Sequence, residues 1–299
     1  VGIVARRYNP GMHERSDARA INAYWGRDDL EGAILAALAA AGKDMDALTV
    51  DDLAPTDQFH SGGKGATLRL ARVAGARPGL RVLDVGGGLG GPARTLAKEF
   101  GCHVTVVDLT ESYVRTGAGL TARLGLADRV SHRQGDALAL GDALYAEKGP
   151  PFDIVWTQNS GMNVADKERL YAGFARLLPP GGLLAIQEPM AGPVRPPIFP
   201  VMWARDATTS FLRRPEEMRG VMEAAGFRAR AWDDVTAEQA GPSTGGAVPA
   251  HAIQRIVMGD ALEPITRAGQ RNREEGRIVI VQAVLERRGP GRRHGPRGA

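Results

Sequence analysis

The stretch Val82-Leu83-Asp84-Val85-Gly86-Gly87-Gly88-Leu89-Gly90-Gly91-Pro92 constrains the fold of this 299-residue chain more than any other. An apolar, β-branched run leads into a turn rich in glycine, and Pro92 suits the first turn of a following helix. Glycines permit the sharp turn and let a ligand approach bare backbone. Unpaired N–H groups at the start of that helix favour a negative group.

The rest of the chain repeats this rhythm. Strands are expected at 81–85, 103–107, 130–134, 152–156 and 183–187, with helices at 92–100, 111–124 and 167–178 and a short one after the third strand. Five strands alternating with helices predict an α/β fold with a parallel sheet covered on both faces. Residues 1–55 read as a helical, alanine-rich cover in which Ile34, Leu35 and Leu38 share a face. Residues 56–63 read as a loop, and a helix follows to about Ala74. Beyond strand five, 189–209 carries five prolines without a period and reads as a long loop. A helix is expected at 216–225, a sixth strand at 227–232, a glycine-rich loop and a helix around 251–258 within 236–276, and a last strand at 277–286. Long segments beside the carboxyl ends of parallel strands build ligand pockets, so 189–220 and 236–276 are expected to cover a substrate.

Two cofactor fingerprints overlap in the glycine turn. Gly86-x-Gly88-x-x-Gly91 satisfies that of a dinucleotide, and Asp84-x-Gly86-x-Gly88-x-Gly90 that of S-adenosylmethionine. Three acids discriminate between them. Asp84 precedes the turn, where a carboxylate meets an ammonium but repels a pyrophosphate. Asp108 ends the second strand, placed for both ribose hydroxyls. Asp136, in Gly135-Asp136-Ala137, ends the third and suits the exocyclic amine of adenine. Acids at three successive strand ends match a ligand with an amine, a ribose and an adenine but no phosphate.

The segments VLDVGGGLGGPARTLA, VTVVDLT, HRQGDALAL, FDIVWTQNSGMN and LLPPGGLLAIQE follow one another in an order and spacing that resemble the class I S-adenosylmethionine-dependent methyltransferases, over residues 56–286. GGxGGPAR and the helical cover resemble the small-molecule branch, which includes sarcosine/dimethylglycine N-methyltransferases, tocopherol and quinone C-methyltransferases and sugar O-methyltransferases of natural-product pathways. The resemblance implies a Rossmann-like, seven-stranded, mostly parallel sheet whose last strand inserts antiparallel. It also implies methyl transfer to N, O or C of a small molecule. Carried over by position, Asp84, Gly86, Gly88 and Gly90 cradle the methionine moiety and Asp108 holds the ribose. Leu109 packs on adenine, Asp136 and Ala137 recognise its edge, and Gln158 touches the cofactor.

Methyl transfer from a sulfonium is a displacement in which alignment contributes roughly 7–11 kcal/mol and a general base a further ~10²–10⁴-fold. Related enzymes often carry a histidine about three residues before the acid matching Asp166, and here Asn163 stands there. Glu188, expected at the end of strand five at the pocket mouth, and His60, in DQFHSGG, are the candidate catalytic groups. Tyr24, Trp25, Asn163 and Trp203 are the candidate substrate contacts, while Trp156 reads as core. The rival readings are a cofactor-binding enzyme with cyclase-type activity, a nicotinamide oxidoreductase, and an RNA or protein methyltransferase.

Composition narrows the partners. The net charge of +4 belongs to residues 286–299, which hold five arginines and one acid, so the rest of the chain is balanced. A neutral body argues against nucleic acid as a partner, since phosphate binding needs a basic surface. The Gly/Pro/Arg-rich 287–299 is expected to be a disordered tail. Cys102 is the only cysteine, which excludes a disulfide framework and CxxC sites, and the six histidines are scattered, so no metal is expected. The longest apolar run, 33–41, is too short for a membrane span, and no charged-then-apolar leader opens the chain. A cytoplasmic monomer or homodimer is expected.

Overall fold

The computed structural model describes residues 20–140, 152–238 and 251–289, apart from residue 22. Its elements are α1 (Leu30–Ala40), α2 (Val50–Asp57), α3 (Gly63–Val73), β1 (Arg81–Val85), α4 (Gly91–Phe100), β2 (His103–Asp108), α5 (Glu111–Arg123) and β3 (Val130–Gln134). They continue as β4 (Ile154–Gln158), α6 (Lys167–Arg176), β5 (Leu183–Ala191), α7 (Pro215–Ala224), β6 (Phe227–Asp234), α8 (Ile253–Met258), α9 (Leu262–Glu274) and β7 (Ile278–Arg287). The helix expected after the third strand, most of the glycine-rich loop, residues 1–19 and the tail from 290 lie outside the described residues.

The seven strands form one sheet in the order β3-β2-β1-β4-β5-β7-β6. Strands β1 to β5 pair in parallel, and β7 runs antiparallel between β5 and β6, as the resemblance implied. Chain order reverses between β1 and β4, and the carboxyl ends of strands at such a switch point are where ligands bind.

Strand residues alternate between two apolar layers. Leu83, Val85, Val155 and Leu184 pack with Leu170, Phe174 and Met222 on one face. Val82, Val104, Val106 and Trp156 pack with Leu96, Leu70 and Ala93 on the other. A third cluster makes the cover: Ile34 and Leu38 of α1, Leu53 of α2, Val257 of α8 and Ile265 of α9 gather around Leu89 of the glycine turn. The cover is thus rooted on the turn itself.

Three expectations need correction. Strand β5 does not stop at Gln187 but continues through Pro189 to Ala191. Proline is tolerated there because the Ala191 N–H points to Arg213 O rather than to β7. Two residues earlier, on the same side, β4 has already ended and no ladder partner is lost. Strand β4 spans 154–158 rather than 152–156, carrying Thr157 and Gln158 into register with Ile186 and Gln187. Helix α9 was missed altogether, although its buried Leu262, Ile265, Ala268 and Asn272 fall at helical spacing.

Candidate active site

Where β1 ends, the Gly86 N–H donates to Val107 O at 2.7 Å and the backbone turns with φ +69°. A Cβ on Gly86 would lie 2.3 Å from Ser160 Cβ, so side-chain size as well as φ demands glycine. Ser160 Oγ in turn donates to Val85 O at 3.1 Å, tying the turn to the end of β4. The Gly88 N–H donates to Asp108 Oδ2 at 2.9 Å and the Thr110 N–H to Asp108 Oδ1 at 2.8 Å.

Asp84 is placed differently. It is 1% exposed, and its Oδ2 has no hydrogen-bond partner in the protein. Burial first, and then the negative charge of Asp108, pushes its pKa up to about 8. Burial likewise raises Asp108, against the opposing N–H donors of Thr110 and Gly88.

A cavity of about 1010 Å³ opens over these residues. Asp84, Gly86, Gly88, Asp108, Leu109, Asp136, Ala137 and Gln158 line it, so eight of the nine expected cofactor contacts share one space. Gly90 does not line it. It caps α4 at φ +80° and faces the fold interior, where a Cβ would come within 2.5 Å of His132. Gln158 Oε1 accepts from Trp156 Nε1 at 2.9 Å, which fixes the orientation of its amide. Trp156 itself is fully buried in the core.

Several wall residues escaped the sequence reading. Tyr113 of α5 is buried with its hydroxyl unpartnered, and burial together with the Asp108 charge raises its pKa. Asp57, at the end of α2, is buried against Arg94, whose Nη2 reaches Asp57 Oδ2 at 2.8 Å and Leu89 O at 2.7 Å. Arg94 Nη1 also donates to Thr121 Oγ1 at 2.8 Å, so one guanidinium joins α2, the glycine turn and α5. Ser61, Gly62 and Gly63 bring to the cavity the start of α3, which has no side-chain cap. Asn159, just past β4, holds the left-handed backbone at φ +54°. The R of GGPAR was a visible signal for Arg94. Tyr113 and Asp57 carried no local signal, because only the packing of α5 and α2 brings them here.

Of the two catalytic candidates, His60 lines the cavity and Glu188 does not. Glu188 lies inside β5 rather than at its end and does not line the cavity. Its Oε1 accepts the N–H groups of Gly161 at 2.9 Å and Ser160 at 3.3 Å, and burial raises its pKa against the pull of those donors and of Lys167. It therefore braces the 160–163 turn from below. His60 lines the cavity, but Nε2 lies 2.9 Å from Gln58 Oε1 and Nδ1 3.1 Å from Ser61 O. Burial lowers its pKa to about 4, so the ring is neutral with a single N–H. Given by Nδ1 to Ser61 O, that N–H leaves Nε2 to accept from the Thr67 hydroxyl at 3.2 Å.

The substrate candidates divide. Trp25 lines the cavity and stacks edge-on with Phe59 at 5.2 Å, with Tyr113 tilted at 6.4 Å. Tyr24 does not line it: its hydroxyl donates to Met202 O at 3.1 Å and Arg205 sits 5.9 Å over its ring. Asn163 and Trp203 both line it, and Asn163 Nδ2 donates to Trp203 O at 3.1 Å and Thr209 O at 2.6 Å.

A family model described as a methyltransferase domain matches residues 82–182. The glycine/sarcosine/dimethylglycine N-methyltransferase of Actinopolyspora halophila is 31% identical over 137 residues, 46% of this chain and 23% of that protein. The methyltransferase GfsG of Streptomyces halstedii is 28% identical over 212 residues, 70% of this chain and 74% of its own length. Matches to the N-methyltransferase and to fungal sterol 24-C-methyltransferases span only 23% to 31% of those proteins. Among solved structures, a geranyl diphosphate methyltransferase in complex with GPP and sinefungin superposes with a TM-score of 0.64 at 17% identity, covering 91% of this chain and 98% of that one. The [4+2]-cyclase SpnF superposes with a TM-score of 0.57 at 22% identity over 76% of this chain and 82% of its own. The segment matched by the family model carries the glycine turn and the strand-end acids. Residues 82–182 match a methyltransferase domain, and the chain has the fold of S-adenosylmethionine-dependent methyltransferases.

Proposed function

We propose that the protein transfers a methyl group from S-adenosylmethionine to N, O or C of a small-molecule acceptor by direct displacement. The observation that carries this reading is Asp84, a buried carboxylate with an unpartnered oxygen beside a second acid. Two close acids in a desolvated site oppose each other's ionisation, and a cationic amine relieves both. Asp84 would hold the ammonium of the cofactor, Asp108 its ribose hydroxyls, and Asp136 with Ala137 the adenine edge. Gly86 and Gly88, both on the cavity wall, leave bare backbone against which a ligand can lie. When bound, S-adenosylmethionine supplies an electrophilic methyl on a sulfonium.

The chain's own contribution is alignment and exclusion of water. Trp25, Phe59 and Tyr113 close one side of the cavity, and α8 and α9 another. Orientation of this kind contributes roughly 7–11 kcal/mol. Glu188 lies outside the cavity and His60 is neutral and hydrogen-bonded to its own loop, so the reading favours acceptors nucleophilic without an enzyme base, such as a neutral amine or an activated carbon. We read 1–55 as the cover and 56–286 as the catalytic domain of a metal-independent, cytoplasmic enzyme. No described helix is long and apolar enough to cross a membrane.

Calorimetric titration with S-adenosylmethionine tests the reading. The wild type should bind it in preference to NAD, and Asp84→Ala should lose that binding. Preference for NAD, or an affinity untouched by Asp84→Ala, contradicts it.

A further inference from the structure

The end of the cavity away from the three acids has a different character. It lies where β5 leaves the sheet and β7 enters it, since Ala191 pairs with Ile278. Leu262, Ile265 and Gly269 of α9 face Trp203, Ile278 and Ile280 across it. Polar groups along this wall are already engaged. Asn163 Nδ2 donates to two backbone carbonyls, Trp203 Nε1 to Ser210 Oγ at 3.0 Å, and Thr266 Oγ1 to Leu262 O at 2.8 Å. Glu238 pairs with Arg69 at 3.3 Å, and Arg273 on α9 is not free either. Gln254 adds a neutral amide.

Gly269 sits in the middle of the thirteen-residue α9, where glycine costs about 0.5–1 kcal/mol relative to alanine. Packing does not require it, because a Cβ there would meet only Arg273 Nη1, at 3.8 Å. Gly117 of α5 differs, since a Cβ there would come within 2.7 Å of His132. The space in front of Gly269 belongs to the cavity instead. That cavity, at about 1010 Å³, reaches the top of the range of roughly 300–1,000 Å³ for single-ligand sites, which leaves room for a second ligand beside the cofactor.

We infer that this chamber takes a bulky, uncharged, largely apolar acceptor and that Gly269 sets its width. The inference rests on the methyl-transfer reading and narrows its substrate class. A small zwitterion would leave its own charges without partners here, and desolvating them unpaired is costly.

The test uses the neutral fluorescent probe N-phenyl-1-naphthylamine on protein saturated with S-adenosylhomocysteine, whose own binding is titrated first. The wild type should bind the probe saturably, with no competition from excess sarcosine. Gly269→Phe should weaken the probe at least ~10-fold while S-adenosylhomocysteine affinity stays within about twofold. Thr266→Phe, on the same face, should act likewise if Gly269→Phe does not fold, and Gly269→Ala should raise the unfolding midpoint while keeping probe binding. Equal probe affinity in wild type and both Phe variants, or displacement by sarcosine, overturns the inference. Failure of the wild type to bind S-adenosylhomocysteine at all strikes the methyl-transfer reading first, and this inference with it.

Discussion

Asp57 and Asp84 are both buried carboxylates on the wall of one cavity, and burial raises the pKa of both. Asp57 has a guanidinium at 2.8 Å, itself fully buried and bonded to three elements. Asp84 has no donor on its Oδ2 and a second acid for a neighbour. Burying a charge is tolerable only with a partner. Asp57 has its partner within the chain and holds the turn in shape. Asp84 lacks one, and the natural conclusion is that its partner arrives with the ligand.

The largest effect should come from breaking the paired acid. Arg94→Leu leaves Asp57 alone in the interior and should destabilise the protein by about 3–5 kcal/mol in denaturant unfolding. The double variant Asp57→Leu/Arg94→Leu should recover much of that loss. If the single variant costs no more than the double, the pair is not what fixes the turn.

The unpaired acid should behave in the opposite sense. Asp84→Asn should cost about 2–5 kcal/mol of cofactor affinity and yet stabilise the ligand-free protein by about 1–3 kcal/mol. The pH dependence follows from the raised pKa. Folded Asp84 keeps its proton up to about pH 8, whereas the unfolded chain releases it near the model-peptide value of about 3.9. The folded state therefore binds the extra proton across that window, and stability falls as pH rises through it. Thermal unfolding against pH should show that fall in the ligand-free wild type and a shallower one in Asp84→Asn. An unchanged slope would assign the fall to other groups.

Tyr113 gives the smallest expected effect. Its hydroxyl has no partner in the protein, so Tyr113→Phe should leave stability within about 0.5 kcal/mol. If that hydroxyl meets the cofactor, affinity should drop by about 1 kcal/mol. A larger stability loss would mean that the hydroxyl has a structural partner.

The same contrast explains what the sequence disclosed. The glycine turn and the acids at 84, 108 and 136 are local: each acid lies at or just past the carboxyl end of a strand, which the alternation of strands and helices locates. The antiparallel last strand came from the family resemblance, since no local pattern orients β7. Glu188 was misplaced because Pro189 reads as a strand break, while the missing ladder partner that makes it harmless is a tertiary fact. Asp57 and Tyr113 reach the wall only through the packing of α2 and α5. Helix α9 was hidden by its many arginines and glutamates, which mask a narrow apolar stripe.

Calorimetric binding of S-adenosylmethionine near neutral pH, repeated in buffers of different ionisation enthalpy, tests the central claim most directly. With Asp84 neutral before binding and paired with an ammonium afterwards, close to one proton should be released per ligand bound. Methylthioadenosine, which lacks the ammonium, should bind without that release, and Asp84→Asn should abolish it. Binding of S-adenosylmethionine with no proton released, or the same release from Asp84→Asn, would contradict the account.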